Sequence, residues 1–404
     1  MMRRDHGFSV LEMTVAMAVM LGVTAGIFSV LNPSQGTFQA QTEVSDMQQR
    51  MRVAADTLSK DLVMAGNGAY QGSMSGSLVY VFAPVYPYRK GAIGEDLPGT
   101  VKTDTVTLMY VPPTIAQTTL ASNPGNSLVN SAETKVNAES GCPLNDLLCG
   151  FQVGMTLLIY DQYGHSDTFT VTQIQDPNQN NLKLQHNSDK LSYEYAPGTK
   201  IVQANNYTYY LNSQTHQLMF YNGGTGADVP VVDNVVSLSF KYYGDPQPPQ
   251  LNGKPLSDPT GPWTTYGPPP PALGSQVLDN NKNPSDGWPA GESCLFQVSG
   301  GQQVPRLPVL GAGGTTTTLV ELTSAMLNDG PWCPGAATDG RWDADLLRIR
   351  KVAVTMRVQA ALASLRGPAS VLFTNGGTST GGDKWVPDQQ VTFSVSPRNL
   401  NLGR

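Results

Sequence analysis

The stretch Gly7-Phe8-Ser9-Val10-Leu11-Glu12-Met13-Thr14 places one carboxylate near the start of a long apolar run. From Phe8 to Leu31 the chain has 24 residues, and Glu12 is the one charged residue among them. A helix of that length rises roughly 36 Å, which exceeds the roughly 30 Å thickness of a bilayer's hydrocarbon core. The stretch therefore predicts a membrane-spanning helix over residues 8–31, in which a charged side chain requires a partner.

A short basic leader, residues 1–7, precedes the apolar run and ends at Gly7. An ordinary secretory signal is cut after its apolar stretch, so that the stretch is removed. A cut after Gly7 would instead keep the apolar helix on the mature chain as an anchor. Arg3 and Arg4 lie before the span and the next basic residue is Arg50, so we expect the leader to be cytoplasmic and the rest of the chain to face outward.

Gly7, Phe8 and Glu12 match the processing site of type IV prepilins and related pseudopilins, which has Gly, then Phe, then Glu at the fifth mature position. The resemblance implies that prepilin peptidase cuts after Gly7 and methylates the new amine of Phe8. Residues 52–62, followed by Ala65-Gly66, further resemble PilW-type minor pilins and the J-type minor pseudopilins of type II secretion. The resemblance covers about the first 65 residues and is patchy beyond them.

Glu12 is expected to act in assembly. Cleavage creates a cationic amine on Phe8, and this amine can sit opposite a carboxylate of a neighbouring helix, where the attraction of opposite charges offsets the cost of placing them in the span. Glu12 would then set the register between subunits. The alternative is that Glu12 only extends toward the cytoplasmic headgroups of an ordinary anchor.

The apolar span is expected to continue into an amphipathic half of the same helix, residues 34–65. Pro33 predicts a kink between the halves, because proline removes an amide donor and collides with the preceding turn. Gly66-Asn67-Gly68 predicts the end of the helix. The apolar stripe that should pack on a sheet is Val44, Met47, Met51, Ala54, Leu58, Leu62 and Ala65, with Arg50, Asp56, Lys60 and Asp61 off the stripe.

Beyond residue 70 the periodicity changes from helical to alternating, which predicts half-buried antiparallel strands. The expected fold class is therefore α+β, with a long N-terminal helix packed on an antiparallel β-sheet head over residues 70–404, and the resemblance to pilins implies the same arrangement. A small β subdomain is expected from Phe151 to about Phe220. The clearest alternating apolar positions are Val106, Leu108 and Tyr110; Val236, Leu238, Phe240 and Tyr242; Val352, Val354, Met356 and Val358; and Val391, Phe393 and Val395.

A proline-rich insertion interrupts the head. Between Asp245 and Val309 lie 14 of the 30 prolines, which favours extended backbone on the surface over regular sheet. Because the segment also holds Cys294, we expect an ordered insertion over residues 245–345 that is pinned by a disulfide.

The four cysteines all follow the span and so lie on its oxidising side. Pairing by proximity predicts a Cys142–Cys149 bridge and a Cys294–Cys333 bridge. The alternative is a four-cysteine zinc site, which the absence of Cys-x-x-Cys spacing disfavours.

Other kinds of site have weak signals. A net charge of -6 argues against an overall basic nucleic-acid binder, so no nucleic-acid partner is expected. His6, His165, His186 and His216 are scattered, and no metal or cofactor is expected.

The run His165-Ser166-Asp167 has the residue types of a catalytic triad without a Gly-x-Ser-x-Gly elbow. Asp279, Asn281 and Asn283 have calcium-loop spacing, but Pro284 replaces the turn glycine. We expect a protein that is not an enzyme.

The resemblance implies a minor pilin-like subunit with one pass through the inner membrane and a periplasmic head, later part of an extracellular pilus. Its partners would be prepilin peptidase, other minor and major pilins, the inner-membrane assembly platform and the membrane itself. A large head suits a complex that primes assembly or caps the tip. The alternatives are a minor pseudopilin of type II secretion, or an adhesin or DNA-capture head that the pilin helix only delivers.

Overall fold

The computed structural model describes residues 9–70, 75–121, 131–139, 141–175, 181–187, 191–255, 258, 261–277, 287–311, 318–335, 340–367, 372–374 and 386–402. The chain divides into two compact units. The first comprises Met1–Arg52 and Val358–Gln389, and the second comprises Val53–Arg357 and Gln390–Arg404. The expected head over residues 70–404 is thus shared between the two units.

A single helix, α1, runs from Val10 to Met64 and has 55 residues. It continues through Asn32 and Pro33 without a stop, and the kink expected at Pro33 stays a prediction. Proline removes one amide donor, and in a helix this long both flanks propagate the structure past the gap. The helix ends just before Gly66, whose φ of 79° is the left-handed conformation that favours glycine. This agrees with the predicted stop.

The apolar stripe of α1 is largely as predicted. Met47, Ala54, Leu58, Leu62 and Ala65 are fully buried, and Val44 and Met51 are half-buried. Asp56 and Lys60 are exposed, as expected for residues off the stripe. Asp61 differs from the prediction, because it is buried beside Leu62.

The strands are short. In chain order the described strands are β1 Val85–Tyr86, β2 Thr105–Tyr110, β3 Gln117–Thr119, β4 Glu133–Lys135, β5 Thr156–Tyr160, β6 Ser166–Thr170, β7 Gln173–Gln175, β8 Lys183–Gln185, β9 Lys200–Gln203, β10 Asn205–Asn212, β11 Gln217–Tyr221, β12 Val229–Asp233, β13 Val235–Gly244, β14 Phe296–Ser299, β15 Gln302–Pro305, β16 Val320–Leu322, β17 Trp332–Cys333, β18 Trp342–Asp343, β19 Ile349–Val358 and β20 Gln389–Val395. Together with α1 they give an α+β fold with several antiparallel sheets.

Two sheets organise the second unit. A five-stranded sheet has the order β1-β2-β10-β11-β12, and a four-stranded sheet has the order β16-β13-β19-β20. Strand β2 pairs antiparallel with β10, which places Tyr209 opposite Val106. All six residues of β2 are buried, so the prediction of a half-buried strand is wrong there. The reason is that β2 is an inner strand whose residues contact both α1, through Tyr110, and β13, through Thr105.

A separate β region lies between β2 and β10. It contains a four-stranded sheet, β3-β9-β5-β6, and a three-stranded sheet, β4-β8-β7. The two sheets share one apolar core that includes Leu157, Phe169, Leu184 and Ile201. The predicted subdomain therefore exists, but it spans residues 117–203 and not 151–220, because β10 and β11 pair into the five-stranded sheet.

Residues 245–345 contain regular structure as well as proline-rich loops. Strands β14 and β15 form a hairpin, and β17 pairs with β18. Strand β16 lies within the expected insertion and yet forms the edge of the four-stranded sheet by pairing with β13. The structure joins Cys294 to Cys333 and Cys142 to Cys149, the pairing expected from proximity.

The two bridges close loops of very different length, with sequence separations of 39 and 7 residues. Loop-closure entropy predicts that replacing both Cys294 and Cys333 by Ala lowers the free energy of unfolding by about 4 kcal/mol. Replacing both Cys142 and Cys149 by Ala should cost about 2.5 kcal/mol. Denaturant unfolding of the two double variants measures the difference, and a larger loss from the shorter loop would contradict the entropic account.

Candidate functional site

Glu12 lies in the first turn of α1 and forms a capping box with Ser9. The Ser9 backbone N–H donates to Glu12 Oε2 at 2.9 Å, and the Ser9 hydroxyl donates to the same oxygen at 3.1 Å. In return the Glu12 backbone N–H donates to Ser9 Oγ at 3.2 Å. Ser9 is thus the N-cap and Glu12 the third helical residue, an arrangement that satisfies two of the amide donors that a helix start leaves open.

Sequence reasoning missed this local role, although the signal was present. Ser9-Val10-Leu11-Glu12 has the Ser-x-x-Glu spacing that marks a helix start before an apolar run. The cap uses only Oε2, and Oε1 of Glu12 has no hydrogen-bond partner among the described residues. Glu12 therefore has a hydrogen-bond partner at the start of its own helix, and its second carboxylate oxygen can still accept a hydrogen bond from a different partner.

The first part of α1 presents an exposed apolar surface. The segment Val10–Leu31 is long and apolar enough to cross a membrane. Val10, Leu11 and Met20 are 80%, 74% and 73% exposed, which is far outside the usual state of such side chains in a water-soluble fold. Gly7 and Phe8, the residues of the expected cleavage site, lie outside the described residues.

Glu43 is a second acidic residue of α1 with a defined partner in the first unit. Its carboxylate accepts a hydrogen bond from the backbone N–H of Ala361. Arg50 Nη1 lies 3.8 Å from Glu43 Oε1, and Arg50 also pairs with Asp46 one turn away. The carboxylate of Glu43, which is 8% exposed, thereby connects the helix to residues 358–367 of the same unit.

Asp61 joins α1 to the five-stranded sheet in the second unit. Its two carboxylate oxygens accept hydrogen bonds from the hydroxyls of Tyr110, at 3.0 Å, and of Tyr209. Burial, and then the Asp61 carboxylate, raise the pKa of Tyr209, and the same two causes raise the pKa of Tyr110. Both tyrosines therefore stay protonated and act as donors. We call Asp61, Tyr110 and Tyr209 the helix clamp.

The four cysteines form no metal site. Cys142 and Cys149 are joined to each other, as are Cys294 and Cys333, so the sulfurs are not available as thiolates. Glu139 lies beside the first bridge and accepts a hydrogen bond from the Gly150 backbone N–H at 2.9 Å. The bridges thus hold loops and supply no ligand set.

The residue types of a triad at 165–167 do not come together as one. Asp161 Oδ2 lies 2.7 Å from Nδ1 of the buried His165. Asp167 instead accepts from the Ser192 backbone N–H at 2.8 Å and from the Tyr195 hydroxyl at 2.9 Å. These contacts of His165 and Asp167 join neighbouring chain segments and do not form a catalytic triad. Asp279, Asn281 and Asn283, the expected weak calcium candidates, lie outside the described residues.

An acidic group that the sequence did not indicate lies near β18. Oxygens of Asp329, Asp343 and Asp345 lie within 4.8 Å of one another. Asp343 accepts from the backbone N–H groups of Gly330, at 2.7 Å, and of Asp345, at 2.8 Å. Asp345 lies 2.6 Å from Nε of Arg348. The two buried carboxylates thus have protein groups beside them.

Comparisons of the chain with protein-family models, curated proteins and solved structures found no match. The run from Gly7 to Glu12 at the start of α1 and the geometry of the described residues are therefore the features that bear on function.

The helix clamp predicts a large stability effect at Asp61. In Asp61→Ala the buried Tyr209 hydroxyl loses its acceptor, so the free energy of unfolding should fall by about 2 to 3 kcal/mol. Asp56→Ala, on the exposed side of the same helix, is the matched control and should change stability by less than about 0.5 kcal/mol. Thermal and denaturant unfolding compare the two variants, and equal losses would contradict the role of the clamp.

The acidic group predicts a pH dependence of stability. Burial raises the pKa of Asp345 to about 7, although the Arg348 charge opposes the shift, and Asp343 and Asp329 reinforce it. A carboxyl whose pKa is raised on folding stabilises the fold below its unfolded value of 3.8, and this contribution is lost as pH rises toward 7. The advantage of the native chain over Asp345→Asn should therefore fall between pH 4 and pH 7, by at most about 1.4 kcal/mol per pH unit. Unfolding curves at several pH values test this, and a constant difference would disprove it.

Proposed function

We propose that this chain is a minor pilin-like subunit, cut after Gly7 by prepilin peptidase, held in the inner membrane by the first part of α1, and assembled into a type IV pilus or a related filament. The observation that carries the proposal is the run from Gly7 to Glu12 at the start of an exposed apolar helix. In that position cleavage removes a short basic leader and keeps the apolar helix.

The continuity of α1 supports the proposal. One uninterrupted helix holds both an exposed apolar segment and a buried stripe that includes Ala54, Leu58 and Leu62. The first segment suits lipid or the apolar helices of neighbouring subunits, whereas the second belongs to a folded, disulfide-bonded domain. A subunit that passes from membrane to filament needs both parts.

Glu12 would serve two purposes in succession. In the single chain it caps α1 through Oε2. In the filament its free Oε1 would accept from the methylated amine of Phe8 of a neighbouring subunit, since a charge-assisted hydrogen bond is stronger than a neutral one. The cap would hold the carboxylate at the helix start, where the neighbour's amine can reach it.

The size of the head favours a position at the end of a filament. The chain has 404 residues, most of them beyond α1, and a shaft built from such subunits would have to accommodate one large head per helix. We therefore place the subunit in a complex with other minor pilins that primes assembly or caps the tip, on the inner-membrane assembly platform. Electron microscopy of filaments labelled on this subunit would contradict the placement if the label recurred regularly along the shaft.

Three variants separate the roles of the N-terminal residues. Gly7→Ala should leave the leader attached. Glu12→Gln retains a side chain that can cap the helix but lacks the charge, so it should be cut normally and then be depleted from filaments by about tenfold or more. Ser9→Ala is the matched control, because it weakens the cap and leaves the Glu12 charge in place. It should be cut and incorporated nearly as well as the native chain.

Mass spectrometry of the N-terminus reports cleavage, and immunoblotting of sheared filaments reports incorporation. Normal incorporation of Glu12→Gln would show that the charge is not needed. Equal losses from Ser9→Ala and Glu12→Gln would reduce Glu12 to a helix cap. An N-terminus at Phe8 in Gly7→Ala would contradict the assigned cleavage site.

A further inference from the structure

A buried arginine that has no carboxylate partner among the described residues lines a cavity of the second unit. Arg350, on β19, is 2% exposed. Among the described residues no carboxylate oxygen lies within 4.0 Å of its guanidinium. Buried charged side chains are ordinarily paired, because the cost of removing an ion from water is otherwise not recovered. The pKa of Arg350 is lowered to about 10, chiefly by burial.

The neighbouring Arg348 has different surroundings, with a carboxylate beside it. It is also buried, and its Nε lies 2.6 Å from Asp345 Oδ1. Its remaining donors reach the backbone oxygens of Asp245, Pro246 and Gln247, and that of Pro308. The Arg350 guanidinium has fewer hydrogen-bond acceptors, all of them reached by Nη1. Among the described residues, Arg348 therefore has a carboxylate beside it, and Arg350, two residues away, has none.

The hydrogen bonds of Arg350 leave one edge of the guanidinium open. Nη1 donates to the backbone oxygens of Leu347, at 2.7 Å, and Ile349, at 2.8 Å, and the guanidinium lies 4.9 Å from the ring centre of Tyr266. Nε and Nη2 have no hydrogen-bond acceptor among the described residues. These two atoms form the edge of an arginine that binds a carboxylate through two parallel hydrogen bonds.

The cavity beside Arg350 has the size and lining of a small-molecule site. Its volume is about 750 Å³, within the range of ligand pockets. Gln250, Asn252 and Thr265 line it with polar groups, and Pro248 and Leu400 add apolar surface. The side-chain amide of Gln250 has no partner among the described residues, so it is available to a ligand. Asp245 also lines the cavity and disfavours a second negative charge.

We propose that this cavity binds a small organic carboxylate, with the Nε–Nη2 edge of Arg350 holding the carboxylate and the polar side chains at 250, 252 and 265 holding the rest of the molecule. A monoanion fits better than phosphate, because Arg350 is the one basic residue among the described lining residues and Asp245 faces the same space. Hydroxyl or amide groups on the ligand match the amide and hydroxyl lining. The site is independent of the filament role proposed above.

Calorimetry on the full chain in a nonionic detergent tests the site with two matched probe pairs. D-glucuronate is compared with D-glucose, and N-acetylalanine is compared with its amide. At least one carboxylate should bind about tenfold or more tightly than its neutral analogue, because a charge-assisted hydrogen bond is replaced by a neutral one in the analogue. The pair that shows the difference identifies the body of the ligand as sugar-like or peptide-like.

Variants place the binding at Arg350. Arg350→Gln should abolish the preference for the carboxylate, and Arg350→Lys should weaken it, since lysine keeps the charge without the planar fork. Thr265→Trp places a large side chain at an exposed lining position and leaves the Arg350 side chain unchanged, and it should also abolish binding. Arg52→Gln, at an exposed arginine of α1, is the control and should bind as the native chain does.

Several results would overturn the proposal. These are equal binding of a carboxylate and its neutral analogue, failure of both carboxylates to bind, and full binding by an Arg350→Gln variant whose melting curve shows that it is folded. Inorganic phosphate binding as tightly as the better carboxylate would also overturn it. Should Arg350→Gln fail to fold, Thr265→Trp decides the matter, and undiminished binding by that variant would refute the location.

Discussion

The hydrogen bonds between Asp61 and two tyrosines fix the position of the last turns of α1, which belong to the second unit, on the five-stranded sheet of that unit. Burial of Ala54, Leu58 and Leu62 supplies the driving force, but apolar contact has no direction and tolerates sliding. Asp61 supplies the direction, because Tyr110 and Tyr209 lie on paired strands, β2 and β10, whose register is set by backbone hydrogen bonds. A shift of one helical turn, about 5.4 Å, would break both hydrogen bonds and leave a carboxylate buried without donors.

A carboxylate near each end of α1 requires hydrogen-bond donors, and the two carboxylates obtain them in different ways. Asp61 uses both carboxylate oxygens within the fold and has none to offer. Glu12 uses one oxygen on its own helix start, and the other has no described partner. The isolated chain therefore has a capped helix, and under the proposed function pairing with a neighbour's amine would add to the cap without competing with it. This removes the conflict between Glu12 as a local structural residue and Glu12 as an assembly residue.

The sequence predicted the elements whose residues follow a simple period. It was less successful where contacts between distant parts of the chain decide which residues are buried and which strands pair. The 3.6-residue stripe from Ala54 to Ala65 and the alternation in β13 were both visible as periods. The burial of Asp61 was not, since nothing in its neighbourhood along the chain indicates two tyrosines at 110 and 209. The subdomain at 117–203 was misplaced for a related reason: β10 alternates like its neighbours, and only its pairing with β2 assigns it to the other sheet. Ser9 is the exception, because the Ser-x-x-Glu signal was local and readable.

Arg348 and Arg350 show why the properties of the head could not be predicted from composition. Both are buried, and both follow the acidic run of 343–345 within seven residues. The short helical turn at 344–348 brings Asp345 back onto Arg348 as an ion pair three residues apart, while β19 carries Arg350 away from that carboxylate and toward the cavity. The backbone, and not the number of charges, thus decides which arginine is compensated. Because Arg350 is buried and has no carboxylate partner among the described residues, an anion that fits its open Nε–Nη2 edge would be favoured there.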